Sequence, residues 1–384
     1  MRKKVFLVLG TFVLLVMLYL HSIDKDYYYK AVWYNLPGIF DENIFEVRTI
    51  AESEKIQPWP YSADFSKAHF SSELMDSLEK YKTTSVLFIQ HDSIIREHYF
   101  GGINDTTRSN SFSVAKSYIG ALVGRAIKLG YIKSVDQPVG DYIKEFDYGL
   151  KKHITIRHLL TMSSGLDWDE AYNSLFSQTT KAYYGSDLEK QVLGLNVIKT
   201  PGQFFEYKSC DTEIIAILLN RATKMSVSEF LEKELWMQMG SSKATWSLDH
   251  NDGLEKAFCC IYATAKDFAR LGNLYLHKGN WNGTQLIDSS YIIQSTKRAD
   301  LLDLKTNRPI DFYGYQWCVL NEYKGLSCYY MRGILGQNII VIPSMNMVIV
   351  RMGHERGVKM NNHYSEMYAL LDEAIRMEKI RNGG

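Results

Sequence analysis

The 384-residue sequence carries almost no net charge: 44 lysines and arginines against 43 aspartates and glutamates leave +1. The two signs are interspersed, so there is no basic footprint for nucleic acid, and no RNA-binding or helix-turn-helix signature is present. Cysteine is scarce. Cys210, Cys259, Cys260, Cys318 and Cys328 form an odd set without Cys-x-x-Cys spacing. That pattern argues against a zinc site and a fully paired disulfide framework, and it leaves at least one thiol free. The ten histidines form no His-Glu-x-x-His pattern and there is no glycine-rich phosphate loop, so neither a metal nor any other cofactor is expected. Internal repeats and low-complexity tracts are lacking too. The composition is that of a globular protein, long enough for two or three layers around a large core. Small-molecule or peptide substrates are the expected partners; the oligomeric state is left open.

Residues 5–21 lack any acidic side chain and follow Arg2, Lys3 and Lys4. As a helix this run is roughly 25 Å long, close to the hydrocarbon core of a bilayer and too long for a typical signal-peptide core. No small-x-small cleavage site follows. Tyr27, Tyr28, Tyr29, Trp33 and Tyr34 suit an interfacial belt just outside. The basic flank keeps the N-terminus in the cytoplasm by the positive-inside rule. The expectation is a single-pass anchor over residues 1–22 with the remainder extracytoplasmic; the alternative is a cleaved signal and a secreted protein.

Residues 23–66 are aromatic, aperiodic and interrupted by Pro37, Pro58 and Pro60, and read as a connecting arm. From 67 to 384 one domain is expected. It opens with an amphipathic helix over 72–81 and two strands, 85–90 and 93–99, joined by His91-Asp92. A mainly helical region follows over about 113–310, with helices at 156–162, 211–224, 227–237 and 264–277. Strand character returns at 315–320, 337–342 and 347–352, before a closing helix over 362–378. Strands at both ends with helices between imply an α+β architecture: an antiparallel sheet built from both chain ends, flanked by helices, with a helical insertion.

The stretch of greatest chemical interest is Ser111 to Gly130, an apolar helix that opens with Ser113 and Lys116. A spacing of three stacks these side chains on one helix face, within reach of each other. A lysine desolvated among Val114, Ala115, Tyr118 and Ile119 loses affinity for its proton and can act as a base near neutral pH. Ser-x-x-Lys also occurs at Ser22/Lys25 and Ser77/Lys80, so spacing alone is weak. Only Ser113 begins a buried helix. On these residues alone, a nucleophile and an ordinary N-capping serine with a snorkelling lysine both remain open.

Further motifs stand in order behind Ser113. Ile154-Thr-Ile-Arg-His-Leu-Leu-Thr-Met-Ser-Ser-Gly-Leu166 resembles a segment of class C serine β-lactamase-like and penicillin-binding-protein-like hydrolases. Pro201-Gly-Gln-Phe-Phe-Glu-Tyr-Lys-Ser209 resembles their Tyr-x-Asn/Ser motif, and Met331-Arg-Gly-Ile-Leu-Gly-Gln337 stands where their third motif is expected. Tyr172-Asn-Ser174 and Tyr184-Gly-Ser186 share the bare spacing, but only Tyr207 has the preceding Pro-Gly and the following helix. With Asp167-Trp-Asp-Glu170 and Thr264 to Gly272, the resemblance is closest to the 6-aminohexanoate-dimer hydrolase branch.

The resemblance implies a serine hydrolase of β-lactamase/transpeptidase-like fold. Ser113 would be the nucleophile, Lys116 and Tyr207 the proton-transfer groups, and the Ser113 and Ile334 amides the oxyanion hole. It also implies an ester or amide substrate. Ser209, Trp168, Arg332 and Gly333 are the candidate substrate contacts, with two readings open: Asp167, Trp168, Asp169 and Glu170 either line the cleft or form a surface loop at a helix N-terminus, and Arg332 faces either the pocket or solvent. The sequence departs at the third motif, where Met331 replaces the lysine of Lys-Thr-Gly, and at Ser209, which replaces asparagine. A second functional class is a catalytically quiet sensor or scaffold that binds peptide or cell-wall fragments.

Overall fold

The computed structural model of the protein describes residues 2–23, 25–34, 36–63, 65 and 69–381. The first part of the chain forms helices α1 (Arg2–Ser22) and α2 (Tyr27–Tyr34), strand β1 (Val47–Ile50), helix α3 (Ser72–Lys80), and strands β2 (Thr83–Gln90), β3 (Ser93–Tyr99) and β4 (Ser109–Asn110). The middle contains helices α4 (Val114–Lys128), α5 (Ile156–Leu160), α6 (Gln178–Tyr184) and α7 (Ser209–Thr223), strands β5 (Ala244–Ser247) and β6 (Ile261–Ala263), and helices α8 (Ala265–Leu276) and α9 (Ser289–Ser295). Strands β7 (Cys318–Tyr323), β8 (Leu326–Gly333), β9 (Gln337–Ile342) and β10 (Met347–Gly353) and helix α10 (Ser365–Arg381) close the chain.

The central sheet has the order β7-β8-β9-β10-β2-β3, and every neighbouring pair is antiparallel. It is built from both chain ends, as expected. His91 and Asp92 turn the β2–β3 hairpin with φ of 49° and 61°, the left-handed pair that matches strand twist in a two-residue loop. Because side chains alternate across a strand, the sheet feeds two cores. Val86, Phe88, Ile340, Ile342 and Ile349 face the terminal helices α3 and α10 through Leu74, Leu78, Leu370 and Leu371. Leu87, Ile89, Ile339, Val341, Val348 and Val350 face the other way, into the core built by the inserted region.

On that second face, α8 lies close to the sheet at Gly272. A Cβ there would stand 3.0 Å from both Ile339 Cγ2 and Val348 Cγ1. Helix α4 is buried on nearly all sides, from Val114 to Ala126. β5 and β6 of the inserted region pair with β1 and β4 from before it in a small second sheet, ordered β1-β5-β6-β4, which sequence patterning did not reveal.

Residues 23–66 do more than connect. β1 pairs with β5, Ile39, Ile50 and Trp59 are buried, and Trp59 Nε1 donates to Lys266 O at 3.0 Å. The segment expected as an arm is thus packed into the domain, while the expected boundary between residues 66 and 67 falls outside the described residues. α1 is exposed along its length and is long and apolar enough to cross a membrane. Cys259 and Cys260 form a disulfide; Cys210, Cys318 and Cys328 are free and buried.

Candidate active site

Ser113 sits where three backbone segments meet. Asn110 Oδ1 accepts from Phe112 N at 2.8 Å, Ser111 N donates to Ile261 O at 2.7 Å, and Ser111 Oγ accepts from Ile261 N at 3.0 Å. This clamp holds Phe112 at a φ of 43°, a conformation that costs a non-glycine residue energy and that surrounding structure must enforce. Immediately after that kink α4 begins, with Ser113 at its N-cap position. Its hydroxyl makes no capping bond. The N-capping alternative therefore fails on geometry, and the Oγ is left for another partner.

That partner is Lys116. Its Nζ stands 3.1 Å from Ser113 Oγ and also donates to Phe258 O at 2.8 Å. Phe258 O is held in turn by the neighbouring contact of Ala257 N with Glu213 Oε2, at 2.8 Å. Lys116 is 2% exposed. Burial pushes its ammonium down to about 8, against the opposing pull of Glu170, Glu213 and Cys210. A good fraction of Lys116 is therefore neutral just above neutral pH.

Tyr207 completes the cluster. The Lys116 Nζ lies 5.1 Å from its ring centre, and Ser113 works to lower the proton affinity of its hydroxyl. Burial holds the phenol well above its ordinary value, while nearby Arg332 pulls the other way. The 154–166 segment supplies the scaffold. Met162 O accepts from Glu206 N at 2.9 Å, Ser163 O from Gly202 N at 2.8 Å, and Ser164 Oγ donates to Asp211 Oδ1 at 2.5 Å. The most recognisable stretch of sequence thus positions the Tyr207 loop and touches no reacting group.

Opposite α4, the end of β8 comes close. A Cβ on Gly333 would meet Ser111 O at 2.6 Å, so only glycine lets the strand approach the nucleophile loop at this distance. The next residue, Ile334, lines the same cavity as Ser113. Ile334 N–H opens a short 3-10 turn, where no acceptor within the turn is in reach, and Ser113 N–H donates to no backbone carbonyl among the described residues.

The remaining expected contacts divide. Ser209 lines the cavity, but its hydroxyl and its amide both donate to Glu170, each at 2.7 Å. Trp168 does not line it. Its indole is buried against the core and donates to Glu170 Oε2 at 2.6 Å. Arg332 donates from Nη1 to Asn362 O at 2.9 Å and lies over the Tyr364 ring at 5.1 Å. It reaches the site through its charge near Tyr207, and it is not among the cavity-lining residues. Met331, at the lysine position of the third motif, is fully buried in the core.

Glu170 is the residue that sequence reasoning undervalued. Asp167 accepts from Asn196 N at 2.7 Å and from Asn196 Nδ2 at 3.2 Å, and Asp169 accepts from Ala171 N at 3.1 Å. Glu170 instead gathers four donors: the two from Ser209, the Trp168 indole and the Tyr172 hydroxyl at 2.5 Å. It places a satisfied negative charge near Lys116 and Tyr207. Tyr172 lines the cavity as well. The one sequence signal for it was the Tyr172-Asn-Ser174 spacing, which pointed to the wrong role.

An antiparallel sheet with flanking helices and a serine at the head of its buried central helix defines a serine hydrolase of the β-lactamase/transpeptidase class. Comparison with known proteins agrees. The family profile described as Beta-lactamase matches residues 72–370, and the chain belongs to that family. It is 26% identical over 297 residues to the 6-aminohexanoate-dimer hydrolase of Paenarthrobacter ureafaciens, covering 73% of this chain and 74% of the relative. Among solved structures, it resembles a Bacillus anthracis chain named for 6-aminohexanoate-dimer hydrolase with a TM-score of 0.72 at 20% identity, over 90% of this chain and 93% of that one. A family VIII carboxylesterase superposes with a TM-score of 0.61 at 14% identity, over 84% and 99% of the two chains.

Proposed function

We propose that this protein is a membrane-tethered, extracytoplasmic esterase or amidase that works through an acyl-enzyme on Ser113. Lys116 accepts the Ser113 proton as Oγ attacks the carbonyl. Tyr207 passes protons to the leaving group and again in deacylation, and the Ser113 and Ile334 amides hold the oxyanion. The carrying observation is the 3.1 Å contact between an uncapped serine hydroxyl and a buried lysine whose proton affinity is depressed. The relatives named as 6-aminohexanoate-dimer hydrolase and carboxylesterase support a carbonyl substrate of this kind. Because Met331 carries no charge and Arg332 is engaged by Asn362 O, neutral esters or amides fit better than β-lactams that need a fixed cation for their carboxylate.

A fluorophosphonate probe should label the purified protein on the peptide that contains Ser113. Ser113→Ala should lose both the label and the turnover of p-nitrophenyl esters. Labelling that survives this substitution would sink the assignment.

The extracytoplasmic placement rests on the basic flank of α1 and is in keeping with the Cys259–Cys260 disulfide, a bond that persists in oxidising compartments. A reporter fused after residue 384 should be active only when the assay reads the outside of the membrane. Activity only in the cytoplasm would reverse the orientation.

A further inference from the structure

The catalytic cavity borrows part of its wall from the chain that emerges from the membrane helix. A cavity of about 300 Å³ opens on Ser113 and Ile334, and Ala31, Leu36 and Pro37 contribute to its lining. These residues follow closely on α1. Fully extended, the stretch from Ser22 to Tyr27 spans under ~18 Å, and here it turns at once, with Lys25 N donating to Leu20 O at 2.8 Å. α2 is not a loose tether, because Tyr27 and Ala31 are buried and the Tyr28 ring lies 5.7 Å from that of Phe176. With α1 in a bilayer, the mouth of the cavity therefore stands at the membrane surface.

Two properties of this mouth point to the substrate. Among the described residues no charged side chain lines the cavity. Leu36 and Leu175 line it and are still 66% and 41% exposed, and Phe176, next in the chain to Leu175, is 82% exposed. Large exposed apolar side chains grouped at one rim mark a surface that meets lipid or protein, and the adjacent membrane helix supplies the lipid.

We infer that the substrate is a neutral membrane amphiphile, and that its apolar acyl chain enters from the bilayer across the Leu36–Leu175–Phe176 rim to occupy this cavity. The inference deepens the proposed function and rests on Ser113 as nucleophile. Ser113 Oγ bonds to the acyl carbonyl carbon and the bond from that carbon to the alcohol oxygen breaks. The proton lost by Ser113 leaves on the alcohol. Water then attacks the acyl-enzyme, restores the Ser113 hydroxyl and releases the free acid.

The test uses the full-length protein in nanodiscs and a series of p-nitrophenyl esters from acetate to decanoate. Each methylene that moves from water into the cavity should raise kcat/KM roughly fourfold until the cavity is full. The same chain ending in a carboxylate should lose most of that gain. Leu36→Asp and Leu175→Ser, at exposed positions on the rim, should flatten the series and cut turnover of a diacylglycerol embedded in the disc by tenfold or more. A flat or falling series, or equal turnover of the carboxylate-ended chain, overturns the inference. The two readings separate cleanly: loss of fluorophosphonate labelling at Ser113 defeats the proposed function, whereas labelling with a flat series defeats this inference alone.

Discussion

At the scale of single residues, the proposed base Lys116 should set the pH behaviour. Burial lowers its proton affinity to about 8, and only the neutral amine can accept the Ser113 proton. The kcat/KM for a neutral ester should therefore rise with pH along a limb centred near 8 and fall below it as Lys116 becomes charged. Glu170 favours the charged lysine, so Glu170→Gln should move that limb to lower pH; a limb that stays in place or moves up would contradict the assigned electrostatics. The same shift has a stability consequence. The unfolded chain holds this proton up to about 10.5, so stability gains from Lys116 as pH rises from about 8 through that window. That Ser113 and Lys116 stand together was legible from a spacing of three on one helix, and the structure sets them 3.1 Å apart. The role of Glu170 was not, because its partner Ser209 lies 39 positions away and only folding joins them.

At the scale of elements, the long periodic pieces were legible and the short paired ones were not. The helix expected over 264–277 is α8, Ala265–Leu276, and the strands at 337–342 and 347–352 match β9 and β10 within a residue. β1 and β5 have four residues each, and the pairing Val47↔Ser247 exists only once distant parts of the chain meet, so no local period announces it. β8 was recognised only as the site of the third motif, not as an eight-residue strand. A close helix contact was likewise invisible. Gly124 in α4 faces the ring of Tyr291 in α9, where a Cβ would stand 2.5 Å from Cδ1, and the Tyr291 hydroxyl donates to Gly120 O at 2.6 Å. Gly124→Ala should thus destabilise the protein by about 1–3 kcal/mol, in spite of the better helix propensity of alanine. Thermal melts that show no loss, or a gain, would mean that α9 yields without cost.

At the scale of the whole molecule, a sheet assembled from the two ends of the chain holds the inserted region against one face and the terminal helices against the other. That division explains why Ser113, at the head of the central helix α4, meets Tyr207 from farther along the insertion and Ile334 from just after the late strand β8: three distant segments share one rigid core. It also explains why the 154–166 segment is so recognisable. A scaffold that sets the Tyr207 loop tolerates fewer alternatives than an exposed surface. Helix α1, long and apolar enough to cross a membrane, stands outside this core, yet the chain that follows it supplies a wall of the cavity, a contact that no local pattern encodes. The central claim is a covalent acyl-enzyme on Ser113, and the most direct measurement is the intact mass and peptide map of Tyr207→Phe protein quenched during turnover of a p-nitrophenyl ester. Slowed deacylation should leave one acyl group per chain, on the peptide that contains Ser113. An unshifted mass despite measurable turnover, or an acyl group on any other residue, would contradict the claim.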